Sequence, residues 1–266
     1  MREALLKLFS DTPFNAGEFW HIKQFNIWHF LYVIIIAGAI IALWRAFKDK
    51  SMETKEKLLR VLAVVLMFSY FSDYLFHDFV YATYDSTAGD YTGGGINMDK
   101  LPFHICTTMS FVIAFASFDK RLEKFYEPIS VIAMIGPIMY VACPSTGVGG
   151  EFWCYRVVQT MFFHAVEMAW GILAISLGKV KLNWKNIWKS YVLILMITVW
   201  AKFGVTLHRY NWFFLLSNPL GIPGIDKPWL LPFIVPSIIF LAVIIIYTID
   251  TVVKIIKRNS KNNQTV

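Results

Sequence analysis

Charge is scarce in this 266-residue chain, and so is cysteine. Asp, Glu, Lys and Arg make up only 16% of it, and the three cysteines stand at positions 106, 143 and 154. Too few polar residues are present to cover the surface of a soluble domain, and three cysteines make no disulfide framework. No HExxH or CxxC spacing, P-loop or dinucleotide fingerprint occurs, so nothing calls for a metal or another cofactor. The chain also lacks an internal repeat and any low-complexity segment. Its first 27 residues lack the basic n-region, apolar h-region and small-residue cleavage site of a secretory signal.

What the chain has is apolar surface. It is 57% hydrophobic and 17% aromatic, with a mean hydropathy of +0.53. A helix needs about 20 apolar residues to cross the hydrocarbon. Seven stretches qualify: 28–47, 59–81, 101–118, 126–142, 155–177, 188–207 and 229–256. Pro128, Gly136 and Pro137 interrupt the fourth, which neighbouring helices can tolerate by satisfying the freed backbone groups. The expectation is an all-α polytopic membrane protein, a seven-helix transmembrane bundle over 28–256. A segment at 1–27, with Leu5, Leu6, Leu8 and Phe9, reads as interfacial, and 257–266 as a basic tail. Phe19, Trp20, Trp28, Trp153, Tyr155, Trp212 and Trp229 fall near span ends, as an aromatic belt does.

Basic residues orient the bundle. Seventeen of them lie between spans one and two, three and four, five and six, and in the tail; seven lie on the other side. The positive-inside rule then puts the N-terminus outside and the C-terminus in the cytoplasm. The net charge of +7 needs no nucleic-acid partner, because most of the excess would face anionic lipid headgroups. The partners expected are membrane lipids, in a multi-pass protein of the cell membrane.

Ionisable residues inside spans are expensive and are often functional. Here they are Asp73, His77, Asp78, His104, His164, Glu167 and Lys202, with Cys106 beside them, and most lie toward the outer side. Pro102 suits a first helical turn, so Cys106 would sit near a helix N-terminus, which favours a thiolate. His164 and Glu167, spaced i, i+3, share a helix face, an arrangement in which a carboxylate orients a general base. His104 lies two residues from Cys106, and Asp73 and His77 form an i, i+4 pair. Lys202, unpaired, would be costly, so Asp73 or Glu167 is its expected partner. The bland alternatives are a packing role for Cys106 and a structural ion pair for Lys202. Cys143 and Cys154 bracket an outer loop in which a disulfide is conceivable, and Gly93, Gly94 and Gly95 read as a flexible turn.

Leu101-Pro-Phe-His-Ile-Cys106 resembles the LPxHxC signature of the YwaF/transmembrane protein 164 family. Phe71-Ser-Asp-Tyr74, Phe162-Phe-His164 and Asn211-Trp-Phe-Phe-Leu215 followed by Asn218-Pro219 fit the same family in order. Trp212 and Phe213 replace the usual Tyr-Met, and Asn218 replaces Lys before Pro219. The resemblance implies a seven-helix fold and an acyltransferase that moves fatty acyl chains between phospholipids. In that reading Cys106 accepts the acyl chain, and His164 is the base. Glu167 holds His164, and His104 or Asn211 donates to the oxyanion. Asp73, His77 and Lys202 line the pocket. A transporter with an Asp73, Glu167 and Lys202 relay, or a non-catalytic scaffold, is the alternative.

The orientation is directly testable. A tag after Val266 should survive external protease on intact cells while a tag before Met1 is removed. The reverse pattern would invert the assignment.

Overall fold

The computed structural model describes residues 2–14, 16–76, 83–85, 90–92, 98, 101–142, 149–217 and 227–262. The helices are α1 (Arg2–Phe9), α2 (Ile27–Phe47), α3 (Met52–Leu75), α4 (Ile105–Phe118), α5 (Tyr126–Ala142), α6 (Tyr155–Ser176), α7 (Ile187–His208) and α8 (Leu231–Asn262). A two-stranded antiparallel ribbon, β1 (Thr83–Asp85) and β2 (Asp90–Thr92), lies between α3 and α4. Among the described residues six helices, α2, α3, α5, α6, α7 and α8, are long and apolar enough to cross a membrane, while α4 has 14 residues. This is the expected all-α polytopic bundle, with α4 as its short member.

Local signals explain where the helices begin. Asn26 caps α2 by accepting from His29 N at 3.0 Å. Ser51 caps α3, and Glu53 in the first turn pairs with Lys57 at 2.7 Å. These signals start α3 earlier than its apolar run. The helix ends at Leu75, so Asp73 occupies its last turn. His77 and Asp78 lie outside the described residues, as do Cys143, the three glycines at 93–95, Asn218 and Pro219.

The proline-interrupted helix turns out to be the core. In α5, Pro128 to Ile135, and Pro137, are buried, and the helix packs against α4, α6, α7 and α8. The backbone groups freed by Pro137 are thereby enclosed by protein. Its closest neighbour is α6. A Cβ built on Gly171 would stand 2.5 Å from the carbonyl oxygen of Ser130, so the two backbones approach as only a small residue permits. On the outside of the bundle, Phe68, Val199 and Leu241 are exposed well inside their helices, as a lipid-facing surface requires.

The two ends of the bundle are closed differently. At the end carrying most of the basic residues, Lys179 bridges Glu56 at 2.6 Å and Glu123 at 3.3 Å, and lies 5.4 Å from the Tyr126 ring. Burial pulls its ammonium down, but the hydrogen bonds to Glu56 and Glu123 outweigh it and hold Lys179 above the usual lysine range. At the opposite end, α1 docks rather than floats. Leu6 and Phe9 are buried, and the Phe9 ring lies 5.0 Å from Phe76 and 4.7 Å from Tyr155. Glu151, fully buried, accepts from Phe14 N, Ala16 N and Trp153 Nε1 at 2.7–3.0 Å. Trp20, Trp28 and Phe152 stack beside it. Trp212 is not a belt residue: it is fully buried, and its Nε1 donates to Met98 O at 2.9 Å. Trp229, exposed, fits the belt.

The α5–α6 approach predicts an asymmetry between two glycines. Gly171→Ala should cost about 1–3 kcal/mol through forced separation of the helices. Gly38→Ala, whose Cβ meets nothing within 4 Å, should be neutral or stabilise by up to about 1 kcal/mol. Thermal unfolding in detergent, followed by tryptophan fluorescence, distinguishes the two; equal shifts would contradict this packing.

Candidate functional site

The segment Leu101-Pro-Phe-His104 precedes α4 instead of forming its first turn. His104 is the N-cap, with φ −80° and ψ 156°, so Pro102 lies outside the helix. Thr107 Oγ1 donates to Leu101 O and His104 O, and Thr108 Oγ1 donates to Pro102 O at 2.9 Å. These bonds fold the segment back onto the first turn. Phe103 lies over α7, where a Cβ on Gly204 would come within 2.5 Å of its ring. Trp200 Nε1 donates to Pro102 O at 2.5 Å.

The second sequence motif docks on the first. Phe213 N donates to His104 Nδ1 at 3.3 Å, and the Trp212 ring lies 4.7 Å from Phe103. Phe213 and Phe214 hold φ values of 55° and 56°, a left-handed backbone that bulky residues rarely adopt. The buried rings of Trp212 and Phe213 and the bond to His104 hold that conformation in place. Because His104 Nδ1 accepts, Nε2 carries the proton in the neutral ring. Asn211 serves its own loop. Its Oδ1 accepts from Leu216 N and Ser217 N at 2.8 and 3.0 Å, and its Nδ2 donates to Ser217. The side-chain amide is thus committed to shaping residues 211–217.

Cys106 is the second residue of α4 and is buried. Its Sγ is pressed onto α5, standing 2.8 Å from where a Cβ on Gly136 would be. The group facing the thiol is the Glu167 carboxyl of α6. Glu167 is fully buried, and among the described residues neither of its oxygens has a conventional hydrogen-bond partner. The thiol, a weak donor, is therefore its polar neighbour. Three helices meet at this point: α4 brings the thiol, α5 the glycine that makes room, and α6 the carboxyl.

His164 stands apart from this contact. No hydrogen bond joins it to Cys106, and Glu167 does not orient it. Its Nδ1 lies 2.7 Å from Thr160 O, one turn back on α6, and its ring stacks on Tyr140 at 3.8 Å and 11°. Facing a carbonyl, Nδ1 must donate, which makes Nε2 the basic nitrogen. The i, i+3 spacing places His164 and Glu167 on one face of α6, but the helix's own carbonyl supplies the orientation that the carboxylate was expected to give.

The remaining residues are structural neighbours of the site. The single Tyr155 hydroxyl proton is shared between Asp73 Oδ1 at 3.0 Å and Ser72 Oγ at 2.8 Å, tying α3 to α6, with Asp73 buried. Lys202 is half-buried and forms no ion pair with Asp73 or Glu167. It stands within two turns of the end of α7, so its long stem can carry the ammonium to the surface. The expectation of a carboxylate partner is corrected by this reach. Cys154 is a free, buried thiol just before α6, pushed up to about 11 by burial, and Cys143 lies outside the described residues.

Sequence reasoning missed two groups. His29, buried, accepts from Phe25 N at Nδ1 and places Nε2 2.7 Å from Val141 O, joining α2 to α5. A histidine one residue inside a predicted span was the available signal. Glu151 had none, since its partners are backbone amides more than a hundred residues away.

The sequence model of the TMEM164 family matches residues 19–249. Neither a curated protein nor a solved structure matches the chain.

Without a Lys202 ion pair, Lys202→Met and Glu167→Gln should change thermal stability additively, within about 0.5 kcal/mol. A coupling well beyond that in a double-mutant cycle would restore the pair.

Proposed function

The chain belongs to the TMEM164 family of multi-pass membrane proteins, and on that premise we propose that it is a lipid acyltransferase or acyl hydrolase working through a thioester on Cys106. The observation that carries this reading is the thiol's position. Cys106 lies in the first turn of α4, against Gly136 and facing the Glu167 carboxyl. The N–H groups of that turn have no intrahelical acceptors, so they favour negative charge beside the sulfur. A thiol becomes a useful nucleophile where a base can take its proton.

The chemistry then divides between two residues. As Sγ attacks the ester carbonyl carbon of a phospholipid, Glu167 takes the thiol proton. The oxyanion is met by first-turn N–H groups of α4 and by the His104 Nε2–H. Collapse breaks the ester C–O bond, the leaving alkoxide recovers the proton from Glu167, and the acyl chain stays on sulfur. An acceptor hydroxyl, from a lysolipid or water, next gives its proton to His164 Nε2 and attacks the thioester carbonyl. The C–S bond breaks, and the thiolate is reprotonated from His164. In this division Glu167 serves acylation and His164 serves transfer. That matches the contact of Glu167 with the thiol and the absence of a Cys106–His164 hydrogen bond.

The scheme is tested with a phospholipid carrying a fluorescent acyl chain. Wild type should acquire a hydroxylamine-labile label, and Cys106→Ala and Cys106→Ser should acquire none. His164→Ala should still be labelled but turn over about 10²–10⁴-fold more slowly, while Glu167→Gln should slow labelling itself by a similar factor. Full lipid turnover by Cys106→Ala would sink the thioester mechanism and favour a transport role for the buried polar groups.

A further inference from the structure

We propose that a cavity at the basic end of the bundle binds a phosphate group, supplied by the headgroup of a phospholipid in the adjacent leaflet. The cavity exists because α4 stops short. Its 14 residues span roughly 21 Å, against about 30 Å of hydrocarbon. Beside it, α3 continues from Leu59 back to Met52, roughly 10 Å further toward that end. A tight turn over Lys120–Phe125 then carries the chain directly into α5. The space left has a volume of about 190 Å³ and is lined by Glu56, Arg60, Ser117, Lys120, Glu123 and Tyr126, among others.

The charges around it do not cancel. Lys179 engages both carboxylates, Glu56 at 2.6 Å and Glu123 at 3.3 Å. Arg60 reaches Glu56 only at 3.8 Å, too long for a charge-assisted hydrogen bond, so its guanidinium fork is largely unused. Lys120 makes no ion pair or hydrogen bond with any described residue. Ser117, buried, accepts from Trp170 Nε1 at 3.2 Å, which leaves its O–H for a further acceptor. Three donors of different kinds therefore line one polar space: a guanidinium, an ammonium and a hydroxyl. The ligand they fit is an anion with several acceptor oxygens, and phosphate answers that description. It lies beyond the end of α4 and beside the first turns of α3, at the level where the longer helices reach lipid headgroups. The site lies eleven residues along α4 from Cys106, roughly 16 Å away. It therefore stands independently of the thioester reading.

The test uses the full-length protein purified from nanodiscs of mixed phosphatidylcholine and phosphatidylglycerol, with retained phospholipid measured by native mass spectrometry. Wild type should hold a phospholipid that survives detergent exchange. Arg60→Gln with Lys120→Gln should lower its retention about ten-fold or more. Lys120→Gln alone, a change at an exposed residue with no structural partner, should lower it partially, which guards against misfolding of the double variant. Lys181→Gln with Lys185→Gln removes equal charge at the same end, outside the cavity, and should leave retention unchanged. Inorganic phosphate separates the sources. If it raises the melting temperature of delipidated wild type but not of the double variant, and no lipid is retained, the site takes free phosphate. Equal losses in both double variants, or no dependence on Arg60 and Lys120, would overturn the proposal.

Discussion

The approach of α5 to α6 at Ser130 and Gly171 is the constraint on which the rest of the bundle rests. Inside a bilayer, lipid tails are as apolar as leucine, so helices associate through close packing and polar contacts. Gly171 provides the close packing by bringing backbone to backbone. Since α5 and α6 run antiparallel, the contact at Ser130 fixes the register one turn further along as well. Glu167, four residues before Gly171, then falls on the Gly136 side of that contact. That side is where α4 delivers Cys106. The thiol, the glycine and the carboxyl meet because two backbones already touch nearby.

Much of this was legible from sequence. Hydropathy located every spanning helix, including the proline-interrupted one. The asymmetry of buried ionisable residues drew attention to Cys106, His164 and Glu167. What failed was inference from spacing within one helix. His164 and Glu167 do share a face, but a histidine on a helix also lies within reach of its own i−4 carbonyl, and Thr160 wins that competition. The carboxyl is left to a residue on another helix, and such a pairing depends on inter-helix register, which no local spacing encodes. Lys202 failed for a different reason: a long flexible stem near a helix end can reach the surface without a partner. The start of α3 moved because Ser51 and Glu53, polar residues outside the apolar run, are good helix-starting residues.

The opposite end of the bundle shows why aromatic residues near span ends need not be lipid anchors. Trp212 and Tyr155 are both positioned as belt residues in sequence, yet one is core and the other hydrogen-bonds Asp73. Each has an apolar body with a polar tip, which suits a membrane interface and a protein interior equally well. Here protein competes successfully, because α1, the 149–154 segment and the 211–217 segment fold over this end. Glu151 is the organiser: a buried carboxylate accepting two backbone N–H groups and an indole holds the N-terminal segment against the α5–α6 connection.

The shortest helix of the bundle proper, α4, carries both polar regions, and its length is the reason. A helix leaves unpaired N–H groups at its start and unpaired C=O groups at its end. In helices that cross fully, these groups reach the headgroups or water. In α4, both ends fall inside the span of its neighbours, so each must be satisfied by protein or by something bound. At the start, Thr107 and Thr108 turn back to bond the preceding carbonyls, while the first-turn N–H groups stand beside the thiol. At the end, Tyr126 OH donates to Ala116 O at 2.8 Å and Asp119 N to Phe115 O at 2.9 Å, and the chain turns directly into α5. A full-length α4 would move Cys106 out to the membrane surface or fill the space beside Arg60 and Lys120 with helix. Shortening it by about two turns is what allows a thiol and a cationic cavity to lie within one apolar bundle.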